Sequence, residues 1–127
     1  MRKFHGTGVA WVTPFNANGS VDYDGLKNLI NHLIDGKVEY LVSLGTTGEA
    51  STLKKDEKKK IWEFTAEVNN GRLPLVAGLG SNNTAELVEQ IKAFEASSYD
   101  AILSASPYYS KPTQEGIYQH YKAVSEA

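Results

Sequence analysis

Short apolar runs alternate with amphipathic stretches along the whole chain. Gly8-Val9-Ala10-Trp11-Val12-Thr13 is stopped by Pro14, and a polar turn follows from Asn16 to Ser20. Asp22 is placed to cap a helix, with Val21 and Leu26 at the spacing of a hydrophobic staple. Leu26, Leu29, Ile30, Leu33 and Ile34 then repeat at helical period, and Gly36 is expected as the left-handed stop. A second unit begins with the strand Glu39 to Leu44, and its helix carries Ile61, Phe64, Thr65 and Val68 and ends near Gly71. The third strand is Pro74 to Leu79. Asn83 and Glu86 have capping-box spacing before Leu87, Val88, Ile91 and Phe94. The fourth strand is Asp100 to Ala105, and a last helix shows Ile117, Tyr118, Tyr121 and Val124.

Four strand–helix units imply a parallel sheet covered by helices. No linker or low-complexity segment divides the chain, so residues 1–127 read as one structural unit. Two α/β architectures fit: a doubly wound sheet, or the first four βα units of a TIM (β/α)8 barrel. Both place ligands at the carboxyl ends of the strands. Every strand here has a polar or glycine-rich exit: Thr13-Pro14, Gly45 to Glu49, Gly80 to Asn83, and Ser106 to Tyr109. Four chemically useful exits favour loops ringed around one axis, and hence the half-barrel.

Composition narrows the function. The chain is 41% hydrophobic and 22% charged, with a net charge of −2, which lacks the basic footprint of a nucleic-acid binder. The lysines between Lys54 and Lys60 are interrupted by Asp56 and Glu57 and read as a solvated helix face. No cysteine is present, so neither a disulfide framework nor a thiolate metal site is possible. Met1 to His5 lack the apolar core of a signal peptide, and no window reaches the ~20 apolar residues of a membrane span. A cytoplasmic location is the expectation.

Candidate chemistry concentrates at the strand exits. Gly45-Thr46-Thr47-Gly48-Glu49 offers free backbone N–H groups and two adjacent hydroxyls, a combination able to hold a small carboxylate. The same sequence also suits a plain βα turn. It lacks the Gly-Lys-Ser/Thr ending of a P-loop, and Gly78 to Asn83 lacks the third glycine of a dinucleotide fingerprint. No cofactor is expected. Tyr108 and Tyr109 follow the fourth strand. A phenol there can relay a proton, with Thr46 as a link, or simply pack. If that segment is extended, one ring faces the pocket and the other an interface. His5, His32 and His120 are scattered, and metal-site spacing is missing. None of the lysines, Lys37 and Lys111 included, sits where burial would make it a nucleophile.

Three segments carry a resemblance in order and spacing: Val12-Thr13-Pro14-Phe15, Gly45 to Glu49, and Ser106-Pro107-Tyr108-Tyr109-Ser110-Lys111-Pro112-Thr113-Gln114-Glu115-Gly116. Tyr118-Gln119-His120-Tyr121 adds to them. Together they resemble the dihydrodipicolinate synthase/N-acetylneuraminate lyase family, over essentially all 127 residues. Other branches often carry Ser-Thr at Thr46-Thr47 and usually lack the Tyr-Tyr pair with its Pro-Thr-Gln-Glu-Gly tail, so the synthase branch is the nearer match.

The resemblance implies a Schiff-base lyase on a (β/α)8 barrel. It condenses pyruvate with aspartate semialdehyde at the entry to diaminopimelate and lysine synthesis. Thr47, helped by Thr46, matches the residue that binds the pyruvate carboxylate. Thr46 and Tyr109 match two members of a three-residue proton relay, and Tyr109 reaches across a tight dimer interface, commonly within a homotetramer. Asn82, Glu86 and Tyr108 match positions of an allosteric lysine site. Lys55 and Lys58 stand where sensitive relatives often have histidines, and extra positive charge beside a cationic inhibitor implies weak or absent inhibition by lysine. The Schiff-base lysine, the third relay tyrosine and the arginine for the second substrate belong to the family's later half, so residues 1–127 alone are expected to be inactive. A sister 2-keto-acid aldolase and a non-catalytic half-barrel that binds a carboxylate or assembles with a partner are the alternatives.

Overall fold

The computed structural model describes residues 3–127; Met1 and Arg2 lie outside the described residues. In chain order the elements are β1 (Gly8–Ala10), α1 (Tyr23–Asp35), β2 (Tyr40–Ser43), α2 (Lys55–Asn69), β3 (Leu75–Gly78), α3 (Thr84–Ala93), β4 (Ala101–Leu103) and α4 (Gln114–Ser125). Two 3₁₀ turns, Thr46–Gly48 and Ala50–Thr52, join β2 to α2.

The four strands are parallel and lie in sequential order β1-β2-β3-β4. That order separates the two architectures. A doubly wound sheet reverses its strand order at a switch point and carries helices on both faces. Right-handed crossovers between strands that never reverse leave every helix on one face. Leu41, Leu75 and Ala77 accordingly join the helix-facing core, built with Leu26, Ile30, Ile61 and Leu87. Ala10, Val42, Val76 and Leu103 alternate onto the opposite face. Val42 is buried between its strand neighbours, whereas Leu103, on the outer strand, is 51% exposed. This arrangement is the first half of a (β/α)8 barrel.

Local chemistry fixes the helix starts. The Asp22 carboxylate accepts from the Gly25 N–H at 2.9 Å, and Val21 and Leu26 share one core cluster as a staple. At α3 the Asn83 side chain accepts from the Glu86 N–H at 3.3 Å. The Glu86 carboxylate turns to the Ser81 hydroxyl at 3.1 Å instead of back to Asn83, so only half of the expected box forms. Gly36 is not the left-handed stop of α1: its φ is −71°, and Lys37 takes that conformation at φ 63°. In α4 the inward position expected for Tyr118 belongs to His120, which is 3% exposed while Tyr118 is 60% exposed. His120 lies three residues from Ile117 and four from Val124, so it falls on their face of the helix. Among the described residues, no helix is long and apolar enough to cross a membrane.

Candidate active site at the strand exits

The turn after β2 is pinned from both sides. Leu44 is buried yet adopts φ 54°, a sparsely populated conformation for a bulky side chain, and so bends the chain sharply off the strand. Its carbonyl passes directly over Gly78 at the end of β3. A Cβ on Gly78 would collide with that carbonyl and lie 2.7 Å from the Gly45 nitrogen, so only glycine fits. On the other side the buried Thr13 hydroxyl, just beyond β1, donates to the Gly48 carbonyl at 2.6 Å. Gly48 is itself pressed against β1, since a Cβ there would lie 3.2 Å from the Trp11 carbonyl oxygen.

Between these anchors Thr46 and Thr47 are exposed and open a 3₁₀ turn. The Gly48 N–H returns to the Gly45 carbonyl and the Glu49 N–H to the Thr46 carbonyl, each at 3.0 Å. Among the described residues, the N–H groups of Thr46 and Thr47 donate to nothing. Two unsatisfied amides beside two hydroxyls form a concentrated set of donors at the carboxyl edge of the sheet. Chemically, such a set can hold a small carboxylate.

Tyr108 and Tyr109 sit differently. They are 55% and 93% exposed, and neither phenol bonds to Thr46 within the chain. The segment is not extended at this point. Tyr109 has φ 70°, and the Ser110 N–H donates to the Tyr108 carbonyl at 2.9 Å, closing a γ-turn. The alternation expected for an extended strand therefore does not apply, and both rings leave the body of the chain. Tyr121 of α4 braces the start of this loop: its hydroxyl donates to the Ser104 carbonyl at 3.1 Å and lies 3.2 Å from Ser106 Oγ.

Asn82, Glu86 and Tyr108 come together only loosely. Asn82 Nδ2 reaches the Tyr108 carbonyl at 3.5 Å, the outer limit of a hydrogen bond. Glu86 faces Lys55 Nζ at 4.0 Å. Burial lowers the Lys58 ammonium pKa, Glu86 opposes that, and Lys55 adds to it. Lys55, Lys58 and Glu86 line one groove of about 1000 Å³ between α2 and α3, floored by Trp62, Phe94 and Tyr99.

Tyr99 escaped the sequence reading, and His120, expected to be structural, takes a specific buried contact. Tyr99 donates its hydroxyl to the Trp62 carbonyl at 3.0 Å and lies 3.4 Å from Ser43 Oγ; burial pushes its phenol well above the usual tyrosine range. His120 Nδ1 is 2.8 Å from Thr84 Oγ1 and ties α4 to the start of α3. Neither lies on an exit loop, and their only signal was an aromatic ring just ahead of, or within, an apolar period. Every lysine of residues 3–127 is exposed except Lys58, which is half-buried on the outside of α2. No cluster of three or more His, Asp or Glu side chains suited to a metal occurs among the described residues.

Comparison with known proteins agrees with this layout. Residues 3–127 match the model of the dihydrodipicolinate synthetase family. The chain is 58% identical over 127 residues to the 4-hydroxy-tetrahydrodipicolinate synthase of Flavobacterium psychrophilum, covering 100% of this chain and 43% of that protein. It superposes on the crystal structure of dihydrodipicolinate synthase from Thermotoga maritima with a TM-score of 0.93 at 41% identity, covering 98% of this chain and 42% of that one. A more distant likeness is N-acetylneuraminate lyase from Mycoplasma synoviae, with a TM-score of 0.88 at 35% identity over 98% of this chain and 43% of that one. The chain thus spans a little over two-fifths of the length of the relatives it matches. With the family model matched from residue 3 to residue 127, the chain belongs to the dihydrodipicolinate synthetase family.

Proposed function

We propose that residues 1–127 supply the first half of the barrel, and one wall of the active site, of a pyruvate-dependent Schiff-base lyase. The single observation that carries this is the Gly45–Glu49 turn, which offers the free N–H groups and hydroxyls of Thr46 and Thr47 at the carboxyl edge of the sheet. In this reading Thr47 and Thr46 bind the pyruvate carboxylate, and the Thr46 hydroxyl begins a proton relay. The carbonyl of pyruvate condenses with a lysine amine, losing water; the iminium gives up a proton from the pyruvate methyl group to become an enamine, whose methylene carbon attacks the aldehyde carbon of aspartate semialdehyde. That lysine lies outside residues 1–127: a nucleophilic lysine needs desolvation, and no lysine among the described residues has it at the sheet edge.

Tyr109 completes the relay in a neighbouring copy. Its 93% exposure on a tight turn leaves it free to enter a second protomer, within a dimer or tetramer. The product feeds diaminopimelate and lysine synthesis. Inhibition by lysine is weak or absent, because Glu86 already faces Lys55 at 4.0 Å and Lys58 shares that groove. A cationic inhibitor would meet like charge there. Strong inhibition in a lysine titration would contradict this.

The test is a rate assay on the whole protein, of the length of its relatives, with pyruvate and a panel of aldehydes. Condensation with aspartate semialdehyde, well ahead of sugar aldehydes, is expected. Preference for a sugar aldehyde would assign the chain to a sister aldolase. No condensation with any aldehyde would leave a carboxylate-binding or assembly module.

A further inference from the structure

The donors of Thr46 and Thr47 are useful only if the short turn that carries them keeps one shape. A 3₁₀ turn of three residues, held by two i to i+3 hydrogen bonds, has little intrinsic rigidity. It is also flanked by two non-glycine residues in left-handed conformation, Leu44 and Glu49, each at φ 54°. Such conformations persist only where the surroundings over-determine them. At the entry, the close pass over Gly78 fixes Leu44. At the exit, the Gly48 carbonyl accepts from the Thr13 hydroxyl.

Thr13 is suited to that task. It is 4% exposed, comes from a different βα unit, and makes a short bond across 35 residues of sequence. Water does not compete effectively for a carbonyl buried there, so the bond keeps its strength and loss of the hydroxyl leaves the carbonyl orphaned. We infer that Thr13 is a positioning residue for the carboxylate site: through the Gly48 carbonyl it holds the turn in the shape that presents Thr46 and Thr47 together. Thr13 itself touches no substrate. This rests on the proposed role of Thr46 and Thr47 and adds the part that sets their geometry.

The experiment compares Thr13→Val, Thr13→Ser and Thr47→Val in the whole protein, with KM for each substrate, kcat and thermal unfolding measured for all three. Thr13→Val keeps the shape and removes the hydroxyl. It is expected to raise KM for pyruvate about three- to ten-fold, the range of one hydrogen bond, and to change KM for the aldehyde by less than about two-fold. Thr13→Ser restores the wild-type value. If Thr13→Val fails to fold, Thr13→Ala, which removes the hydroxyl and the methyl without adding bulk, carries the same expectation. An unchanged pyruvate KM without the hydroxyl would overturn the inference. So would an equal rise for both substrates that Thr13→Ser does not reverse, since that marks a general loss of structure. Thr47→Val separates the two levels. If it raises the pyruvate KM while Thr13→Val does not, only the positioning role is lost. If it leaves that KM untouched, the carboxylate reading fails and the positioning role falls with it.

Discussion

The two candidate loops of this half-barrel are built in opposite ways. The turn after β2 has a strand on each side, and both neighbours grip it: Gly78 of β3 gives way to the Leu44 carbonyl, and Thr13 holds Gly48. The loop after β4 has a neighbour on one side only, and its tyrosines are 55% and 93% exposed. The same contrast runs through the strands, with Val42 of β2 buried and Leu103 of β4 half-exposed. Of these two loops, the one with a strand on each side is held within the chain and the one beyond β4, at its tyrosines, is not. The inner turn is held from both sides within residues 3–127, whereas Tyr109 stands 93% exposed.

The largest expected effect comes from closing the space over Gly78. Gly78→Val drives side-chain atoms into the Leu44 carbonyl and should cost about 3 kcal/mol or more in chemical denaturation, beyond ordinary overpacking. Tyr109→Ala, on the exposed loop, should stay within about 0.5 kcal/mol. Equal losses would erase the contrast. Next comes the core under each strand: Leu41→Ala, at a fully buried position, should lose about 2–5 kcal/mol, and Leu103→Ala clearly less. A smaller effect is expected at the cap of α1, where Asp22→Ala removes the bond to the Gly25 N–H and should lower stability by about 1 kcal/mol.

The smallest effect concerns acid. Partial burial raises the Asp100 carboxyl pKa, but bonds from the Lys3 ammonium and the Leu75 N–H, with the Lys3 charge, outweigh it and hold the group below its usual range. A depressed folded-state value contributes stability above the unfolded pKa, near 3.9, and loses it as pH falls through the folded value. Asp100→Asn should therefore flatten a slight fall in stability below about pH 4. An unchanged slope would mean that the tie between Lys3 and β4 contributes nothing.

How far the fold was legible follows from the same distinction. Periodicity located all eight elements, because alternating strand and helix patterns are set by residues that contact the core directly. The strands came out shorter than their apolar runs: β1 stops at Ala10 although apolar residues continue to Val12. Pairing ends where the neighbouring strand turns away, and no pattern within β1 carries that information. The polar strand exits and the family resemblance already favour the barrel over the doubly wound sheet, and strand order, a long-range property, bears that out. Gly36 read as the left-handed stop, yet Lys37 adopts that conformation, because α1 keeps its helical bond through Gly36, whose N–H donates to the His32 carbonyl, and closes one residue later, where the Lys37 and Val38 N–H groups return to the Ile34 and Leu33 carbonyls. Thr46 and Thr47 were legible as a donor-rich turn because glycines bracket them. The hold of Thr13 on Gly48 was not, since nothing in either segment announces the other. Tyr108 and Tyr109 were legible as exit residues, but the γ-turn that sends both rings outward depends on a positive φ at a tyrosine, which sequence does not signal.

In the proposed function, residues 1–127 form the carboxylate-binding half of a Schiff-base enzyme whose nucleophile lies elsewhere. Incubating the whole protein with pyruvate and borohydride, then mapping the reduced adduct by mass spectrometry of its peptides, tests this most directly. A single pyruvate-derived adduct on a lysine outside residues 1–127 is the predicted result. An adduct on a lysine within these residues, or none at all, would contradict the account.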